Sequence, residues 1–405
     1  MSELAINGGK PVRGRDRLFP VYNPIGVEEK TAVMRVLDSG VLSQYIGVWH
    51  PDFYGGPEVK AFEKEWAEKF CVKHAVAMNS ATSCLIAAVG ALGIRPGDEV
   101  IVSPYTMVAS VSCILWYGGV PVFADVEPEY FCLDPKSVEA AITPRTKAIV
   151  VVDLFGGAYD ADAICTIAKK HNLKIIEDAA QAPGASYKGK KVGTLGDIGV
   201  YSLNFHKHIH TGEGGVAVTD DDALAERLQL IRNHAEAVVE AKGVKDLTNM
   251  VGQNYRLTEI QAAIGREQLK KLDALVAKRR ENCAYIAART RDMPGLAPAP
   301  ERPQSEHVFY MQPFLYDEKV VGIPRARFVE ALLAELPDAS ISGGYVKPIY
   351  RMPLFGQVPG LCPTAERLYG SELLLHEMMY PGLNKKDLDD VVEAFHKVYR
   401  HRGEL

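Results

Sequence analysis

The chain has 405 residues, of which 47% are apolar and 24% charged, and its formal net charge is −5. This length exceeds one simple core and predicts two domains. The mild negative charge includes no basic block, so nucleic acid and anionic membranes are poor candidate partners.

The sequence also argues against export and membrane insertion. No apolar run reaches the roughly 18–20 residues of a membrane span, and the first residues lack the pattern of a secretion signal. The seven cysteines are scattered and never form a Cys-x-x-Cys pair, which is typical of reduced thiols. We therefore expect a cytoplasmic protein without a disulfide or zinc scaffold.

Between residues 75 and 220, short β-branched runs alternate with helical stretches. The predicted strands are Ala75–Met78, Glu99–Ser103, Pro121–Asp125, Ala148–Asp153 and Lys174–Glu177. Helical patterns follow them near Ser83–Leu92, Val108–Trp116, Pro135–Ile142 and Ala161–His171. Apolar strands alternating with helices predict a parallel sheet that is covered on both faces.

The pattern changes after Val218. A long helix is predicted from Thr258 to Thr290, with Thr258 as its cap. A proline-rich connector precedes an α+β section, whose last helix begins after Asn384. We predict a large α/β domain over residues 1–250, the N-terminal arm included. Residues 251–405 would form the connecting helix and a smaller C-terminal domain.

Lys207 lies in an unusual segment. It follows the predicted strand Gly199–Leu203, stands between His206 and His208, and precedes the glycine-rich turn Thr211–Gly215. An ordinary lysine has a pKa of about 10.4, and burial near other cations lowers it toward neutrality. Such an amine suits a Schiff base with pyridoxal phosphate, and the alternative is a solvated surface lysine.

Other residues match what that cofactor requires. Asp178 ends a strand and would pair with the ring nitrogen, although it is also a plausible helix cap. Gln181 would reach the phenolic oxygen of the ring. The turn Asn79–Ser83 opens a helix, whose N–H groups can bind a phosphate, and Ser202 would add a hydroxyl.

The His206-x-His208-x-His210 spacing offers a different hypothesis. On a regular strand these three side chains would share one face and could bind zinc. Lys207 and the glycine-rich turn disfavour a regular strand, so we predict no metal site.

Five segments in a fixed order resemble the DegT/DnrJ-type sugar aminotransferases, a fold-type-I family that depends on pyridoxal phosphate. They are Gly55–Glu63, Pro96–Val102, Glu177–Gln181, Lys207 with Thr211–Gly215, and Asn254–Ala263. The resemblance covers nearly the whole chain. It implies a large domain with a mixed, mostly parallel sheet flanked by helices, and a smaller α+β C-terminal domain.

The resemblance also implies residue roles. Lys207 falls on the Schiff-base lysine, Asp178 on the partner of the ring nitrogen, and Gln181 beside the phenolic oxygen. The implied phosphate contacts are Ala81, Thr82, Ser83, Ser202 and, from the neighbouring subunit of a homodimer, Asn254. Met107 occupies the position that stacks on the ring, with Tyr105 as the alternative. The candidate substrate contacts are Tyr105, His206, His208, Arg232 and Arg256.

Three departures from the family pattern stand out. Ala81 replaces the usual glycine of the phosphate turn. Asp153 begins a segment where the family often has His-Leu-Tyr-Gly. The stretch 43–54 is an apparent insertion with four aromatic residues, and it would form either a substrate wall or ordinary loop packing.

The predicted activity is amino transfer from L-glutamate or L-glutamine to a keto-sugar, with a nucleotide-linked keto-deoxyhexose as the first choice. The alternatives are a keto-cyclitol aminotransferase, a keto-sugar dehydratase and a non-catalytic sugar sensor. Dehydratases of the family carry histidine in place of the lysine, so Lys207 favours amino transfer.

Overall fold

Seven strands of a central sheet are ordered β1-β9-β8-β5-β4-β2-β3 in a computed structural model that describes residues 3–356 and 359–405. With the strands of the two smaller sheets included, the described strands are β1 His74–Met78, β2 Glu99–Val102, β3 Val120–Phe123, β4 Thr146–Val152, β5 Lys174–Asp178, β6 Ser186–Tyr187, β7 Lys190–Lys191, β8 Ile198–Ser202, β9 Gly215–Thr219, β10 Leu296–Pro298, β11 Ser305–Glu306, β12 Gln312–Tyr316, β13 Ile341–Gly343 and β14 Leu373–His376.

Helices α3 to α6 alternate with the strands of this sheet in the chain, and the others precede or follow them. The described helices are α1 Val27–Ser39, α2 Pro57–Phe70, α3 Ala81–Ala91, α4 Ala109–Leu115, α5 Pro135–Ala140, α6 Ala161–His171, α7 Asp222–Arg232, α8 Val239–Lys242, α9 Glu259–Thr290, α10 Glu318–Val321, α11 Arg325–Glu335, α12 Pro363–Arg367 and α13 Lys385–Arg400. The predicted α/β architecture with a mixed, mostly parallel sheet is confirmed.

The direction of β9 determines where the loops meet. β9 is antiparallel to both β1 and β8, whereas the other neighbouring strands run parallel. Every strand except β9 therefore ends at the same edge of the sheet, and β9 begins there. Open α/β sheets bind ligands at this edge.

Both faces of the sheet are buried, as the apolar runs predict. Ile149 and Val151 pack into the core beneath α2, α6 and α9. Val150 and Val152, which point the opposite way, pack beneath α3, α4 and α7. Alternate residues of one apolar strand thus serve two cores.

The long helix joins the two parts of the chain. Thr258 caps α9 by accepting the Gln261 N–H at 3.3 Å, and α9 packs on α1, α2 and α13. Within the described ranges no helix combines the length and the apolar character that a membrane crossing needs.

The C-terminal part is built on the antiparallel sheet β10-β12-β14-β13, and it also receives the N-terminal arm. Leu4 and Phe19 pack in the same core as Phe328 and Phe395. Glu335, from α11, accepts the Ala5 N–H at 2.9 Å. The start of the arm therefore packs with the small domain, whereas Tyr22, near its end, donates to the His208 carbonyl of the large domain at 2.6 Å. The boundary at residue 250 stays a prediction.

Candidate active site

A cavity of about 170 Å³ opens at the edge where the central strands end. Eight of the predicted site residues line it: Ala81, Thr82, Met107, Asp178, Gln181, Ser202, His206 and Lys207. Asp178 and Ser202 are the last residues of β5 and β8, and the other six follow β1, β2, β5 or β8 in the chain. The topology of the sheet therefore brings them together.

Lys207 is buried at the cavity wall. The loop that carries it is closed by Leu203 N–H donating to the Gly214 carbonyl at 2.9 Å. The Nζ atom lies 4.2 Å from the centre of the Tyr310 ring. Burial lowers the pKa of Lys207 to about 8, although the charges of Asp178 and Glu377 oppose that shift. This amine therefore loses its proton at a lower pH than an ordinary lysine does.

Asp178 is a buried carboxylate on the same cavity. The Ser110 hydroxyl donates to its Oδ2 at 2.7 Å, and the Ala180 N–H donates to its Oδ1 at 3.2 Å. Burial raises the pKa of Asp178, while these donors and Lys207 counteract the rise. Ser110 was not predicted. The available signal was a polar residue within the predicted apolar run Val108–Trp116.

The start of α3 forms a site for an anion. Its first N–H groups have no partner within the helix, and Ala81 and Thr82 line the cavity. A Cβ atom on Gly215 would lie 2.5 Å from the Ala81 nitrogen, so glycine permits this approach. Ser83 turns inward and donates to Asn79 Oδ1 at 2.6 Å, which corrects its predicted phosphate contact.

The structure distinguishes between Met107 and Tyr105, the two candidates for stacking on the cofactor ring. The Tyr105 ring is buried, and its hydroxyl accepts the Tyr345 N–H at 2.8 Å. Met107 is 52% exposed and lines the cavity. Among these two, only Met107 can lie against the face of a ring in the cavity.

The three clustered histidines have separate surroundings. His206 lines the cavity, and burial followed by the charge of Lys207 lowers its pKa. His208 is buried away from the cavity, where its Nε2 donates to the Val308 carbonyl at 2.9 Å, which corrects its predicted substrate contact. His210 Nδ1 accepts from Gly212. In the part of the chain that the structure describes, no cluster of His, Cys, Asp or Glu is arranged to hold a metal.

The predicted arginines lie outside the cavity. Arg232 is fully buried and donates to Glu63 and to the Ala77 carbonyl, so it stabilises the core and does not contact substrate in its own subunit. Arg256 donates through Nε to Asn233 at 2.8 Å. Asn254 is exposed, and its carbonyl accepts from Asn79 at 3.4 Å.

The insertion at 43–54 packs against its own subunit. Asn233 donates to the Ile46 and Phe53 carbonyls. The Trp49 ring lies 4.4 Å from Lys242 Nζ. No residue of the insertion lines the described cavity.

The small domain supplies groups that the sequence did not reveal. The Val308 N–H and Tyr310 N–H donate to the Gly156 and Phe155 carbonyls, at 2.9 and 2.8 Å. These bonds place the Tyr310 ring against Lys207. Burial raises the pKa of the half-buried Glu377, whereas Arg279 and Lys207 oppose the rise.

Behind Asp178, on the other face of β5, lies a buried pair of carboxyl groups. Glu177 accepts the N–H groups of Gly193, Leu195 and Gly196. Asp153 Oδ1 accepts from Tyr159, but its buried Oδ2 has no partner among the described residues. Burial and the Glu177 charge raise the pKa of Asp153 well above its usual range. Burial therefore favours the neutral, protonated form of the Asp153 carboxyl group.

Comparison with known proteins matches this geometry to a family. Residues 27–396 match the DegT/DnrJ/EryC1/StrS aminotransferase family. The chain is 34% identical to the spore coat polysaccharide biosynthesis protein SpsC of Bacillus subtilis, covering 96% of this chain and 99% of SpsC. It is 35% identical to an L-glutamine:2-deoxy-scyllo-inosose aminotransferase of Streptoalloteichus tenebrarius, covering 99% of both.

A solved structure gives the same result. DesI, crystallised in the presence of its TDP-sugar product, superposes with a TM-score of 0.85 at 30% identity, covering 99% of this chain and 97% of DesI. The resemblance seen in the sequence is therefore confirmed over nearly the full length. The chain is an aminotransferase that belongs to the DegT/DnrJ/EryC1/StrS family.

Proposed function

We propose that this protein uses pyridoxal 5′-phosphate to transfer an amino group to a keto-sugar. The observation that carries the proposal is the buried amine of Lys207, with a pKa of about 8, on the same cavity as the carboxylate of Asp178. The start of α3 supplies unpaired N–H groups on that cavity. The amine, the carboxylate and the N–H groups would complement the aldehyde, the ring nitrogen and the phosphate of the cofactor, respectively.

The roles follow from the positions of the side chains. Lys207 would hold the cofactor covalently, Asp178 would pair with the ring nitrogen, and Met107 would cover one ring face. The start of α3, with Thr82 and Ser202, would bind the phosphate. When bound, the cofactor supplies a ring that withdraws electrons from the substrate carbon. Lys207 would then take up and return a proton at that carbon.

The same proposal includes a homodimer. Met107, which lines the cavity, and Phe205, which precedes the lining residue His206, are 52% and 66% exposed. Exposed apolar groups of this kind favour an interface. Asn254 is exposed and does not line the cavity of its own subunit. We place its amide at the phosphate of the neighbouring subunit.

The amino donor in this proposal is L-glutamate or L-glutamine, and the acceptor is a nucleotide-linked keto-deoxyhexose. The similarity to DesI, whose product is a TDP-sugar, supports this acceptor. A keto-cyclitol is the second candidate. The relatives named L-glutamine:2-deoxy-scyllo-inosose aminotransferase favour it.

The proposal is tested by adding pyridoxal phosphate to the purified protein and following absorbance at about 420 nm. L-glutamate or L-glutamine should remove this band, and addition of a keto-acceptor should restore it with formation of an amino product. Lys207→Ala should abolish the band and lower turnover by about 1000-fold or more, whereas the surface variant Lys190→Ala should match the wild type.

Other outcomes would identify other functions. Loss of a hydroxyl from the acceptor without a net gain of nitrogen would indicate a dehydratase. Binding of a sugar without turnover would indicate a sensor. A Lys207→Ala protein that keeps both the band and the turnover would contradict the assignment of Lys207.

A further inference from the structure

One segment of the small domain packs behind Gln181, which lines the cavity. Residues 344–351, which we call the Tyr345 segment, follow β13. Gly344 has a φ of +71°, and a Cβ there would lie 2.7 Å from the Tyr369 carbonyl, so glycine is required at this turn. Beyond it, the Ile349 N–H donates to the Pro104 carbonyl at 2.9 Å.

The Tyr345 side chain contacts loops that follow three different strands. Its ring meets the Tyr105 and Phe155 rings edge-on, with centres 6.1 and 5.3 Å away. Its hydroxyl accepts a hydrogen bond from Gln181 Nε2 at 3.0 Å. Burial raises the pKa of Tyr345 to about 12, so this hydroxyl stays protonated at neutral pH.

The partners of Gln181 determine the orientation of its amide. The Phe155 N–H donates at 2.7 Å to the Gln181 oxygen, and only an oxygen can accept at that position. The amide nitrogen therefore faces Tyr345. An amide nitrogen carries two hydrogens. The Tyr345 hydroxyl takes one, and the other remains for the cavity that Gln181 lines.

We propose that Tyr345 is a positioning residue that holds the Gln181 amide with its second N–H directed at the phenolic oxygen of the bound cofactor. This role rests on the proposed function. Because Tyr345 comes from the small domain, the donor is correctly oriented only when that domain is docked on the large one.

The expected effect follows from the hydrogen bond. A donor to the phenolic oxygen would draw electron density away from that oxygen. The proton that the oxygen shares with the nitrogen of the bound Lys207 would then be held less tightly. Loss of the Tyr345 hydroxyl frees the amide to rotate and weakens that donor. The pH at which the visible band titrates should then rise by about half a unit. A shift of this size corresponds to the free energy of one ordinary hydrogen bond.

The experiment compares the loaded wild type with Tyr345→Phe, Tyr350→Phe, Gln181→Ala and the double variant of residues 181 and 345. Tyr350 is the matched control because its hydroxyl, in the same segment, donates to Glu366 and accepts from Cys362, away from the cavity. The absorbance band is titrated with pH, and kcat and KM are measured separately. We expect Tyr345→Phe to raise the midpoint and to lower kcat by about threefold, and Tyr350→Phe to leave both unchanged.

The double variant distinguishes a role of Tyr345 through Gln181 from a general effect of Tyr345 on packing. If Tyr345 acts through Gln181, Tyr345→Phe should cause no further shift in the Gln181→Ala protein. Tyr345→Met, which has no hydroxyl, is a second variant in case the first does not fold, and it should give the same shift.

The outcomes distinguish this role from the proposed function. Two results would overturn the role of Tyr345 alone, provided that the wild type shows the band. One is a Tyr345→Phe protein whose titration midpoint is unchanged. The other is a Tyr345→Phe shift that is equally large in the Gln181→Ala background. A wild-type protein that forms no band with pyridoxal phosphate overturns the proposed function, and this role with it.

Discussion

The cavity wall and the small-domain residues behind it are built in different ways. On the wall, which the large domain supplies and which we call the large-domain wall, Asp178 and Ser202 are the last residues of strands, and Ala81 begins a helix. Behind this wall, the small-domain residues Tyr310 and Tyr345 contact Lys207 and Gln181, and both lie in irregular backbone. Phe309 next to Tyr310 has a φ of 51°, and Gly344 before Tyr345 has a φ of 71°.

The difference separates two tasks. Strand ends hold side chains rigidly, and the register of the sheet fixes their positions relative to one another. Such positions suit residues that must bind a cofactor. Irregular segments reach their positions only when the domains pack. They suit residues that adjust the electrostatics of the site, as Glu377 does for Lys207.

The largest expected effect lies on the large-domain wall. Asp178→Asn keeps the shape of the side chain and removes its charge, so kcat/KM should fall by about 100-fold or more. Steady-state kinetics at saturating cofactor measure this. A loss below tenfold would contradict the view that this wall carries the chemistry.

A smaller effect is expected at the close approach of β9 to α3. Gly215→Ala would place a Cβ 2.5 Å from the Ala81 nitrogen, and such overpacking costs about 1–3 kcal/mol. The start of α3 should shift and the dissociation constant for pyridoxal phosphate should rise about tenfold, as titration by fluorescence would show. Gly370→Ala is the control, since its Cβ meets nothing within 4 Å. Equal affinities for the two variants would contradict this account.

The smallest effect is expected for the small-domain residues behind the cavity wall. Glu377→Gln removes a negative charge that favours the ammonium form, so the pKa of Lys207 should fall below about 8. The expected change is about half a unit. The pH dependence of amine labelling at Lys207, in protein freed of cofactor, measures it. Glu372→Gln, which alters the Arg367 ion pair, is the control, and an unchanged or higher pKa in Glu377→Gln would refute the prediction.

The same contrast explains what the sequence could predict. Alternating apolar runs reveal the order of strands and helices, and Thr258 indicates the start of α9 because capping is a local interaction. Lys207, Asp178 and the α3 turn are predictable because they adjoin strands.

Interactions between distant residues were not predictable. Gln181 and Tyr345 are 164 residues apart, and Arg232 and Glu63 are 169 apart. Nothing local distinguishes the buried Arg232 from an exposed helix charge, so the sequence predicts a substrate contact where the fold has a core ion pair. The packing of the start of the N-terminal arm on the small domain was not predictable either, because its partner Glu335 is distant in the chain.

The carboxyl pair Asp153 and Glu177 has a consequence for the charge of the molecule. The formal net charge of −5 counts every aspartate as ionised, whereas burial raises the pKa of Asp153 in the fold. At a pH between its ordinary and its raised pKa, Asp153 binds more protons in the fold than in the unfolded chain, so folding takes up protons at this site. Above the ordinary aspartate pKa, this site therefore makes the fold less stable as pH rises toward the higher pKa of Asp153 in the fold.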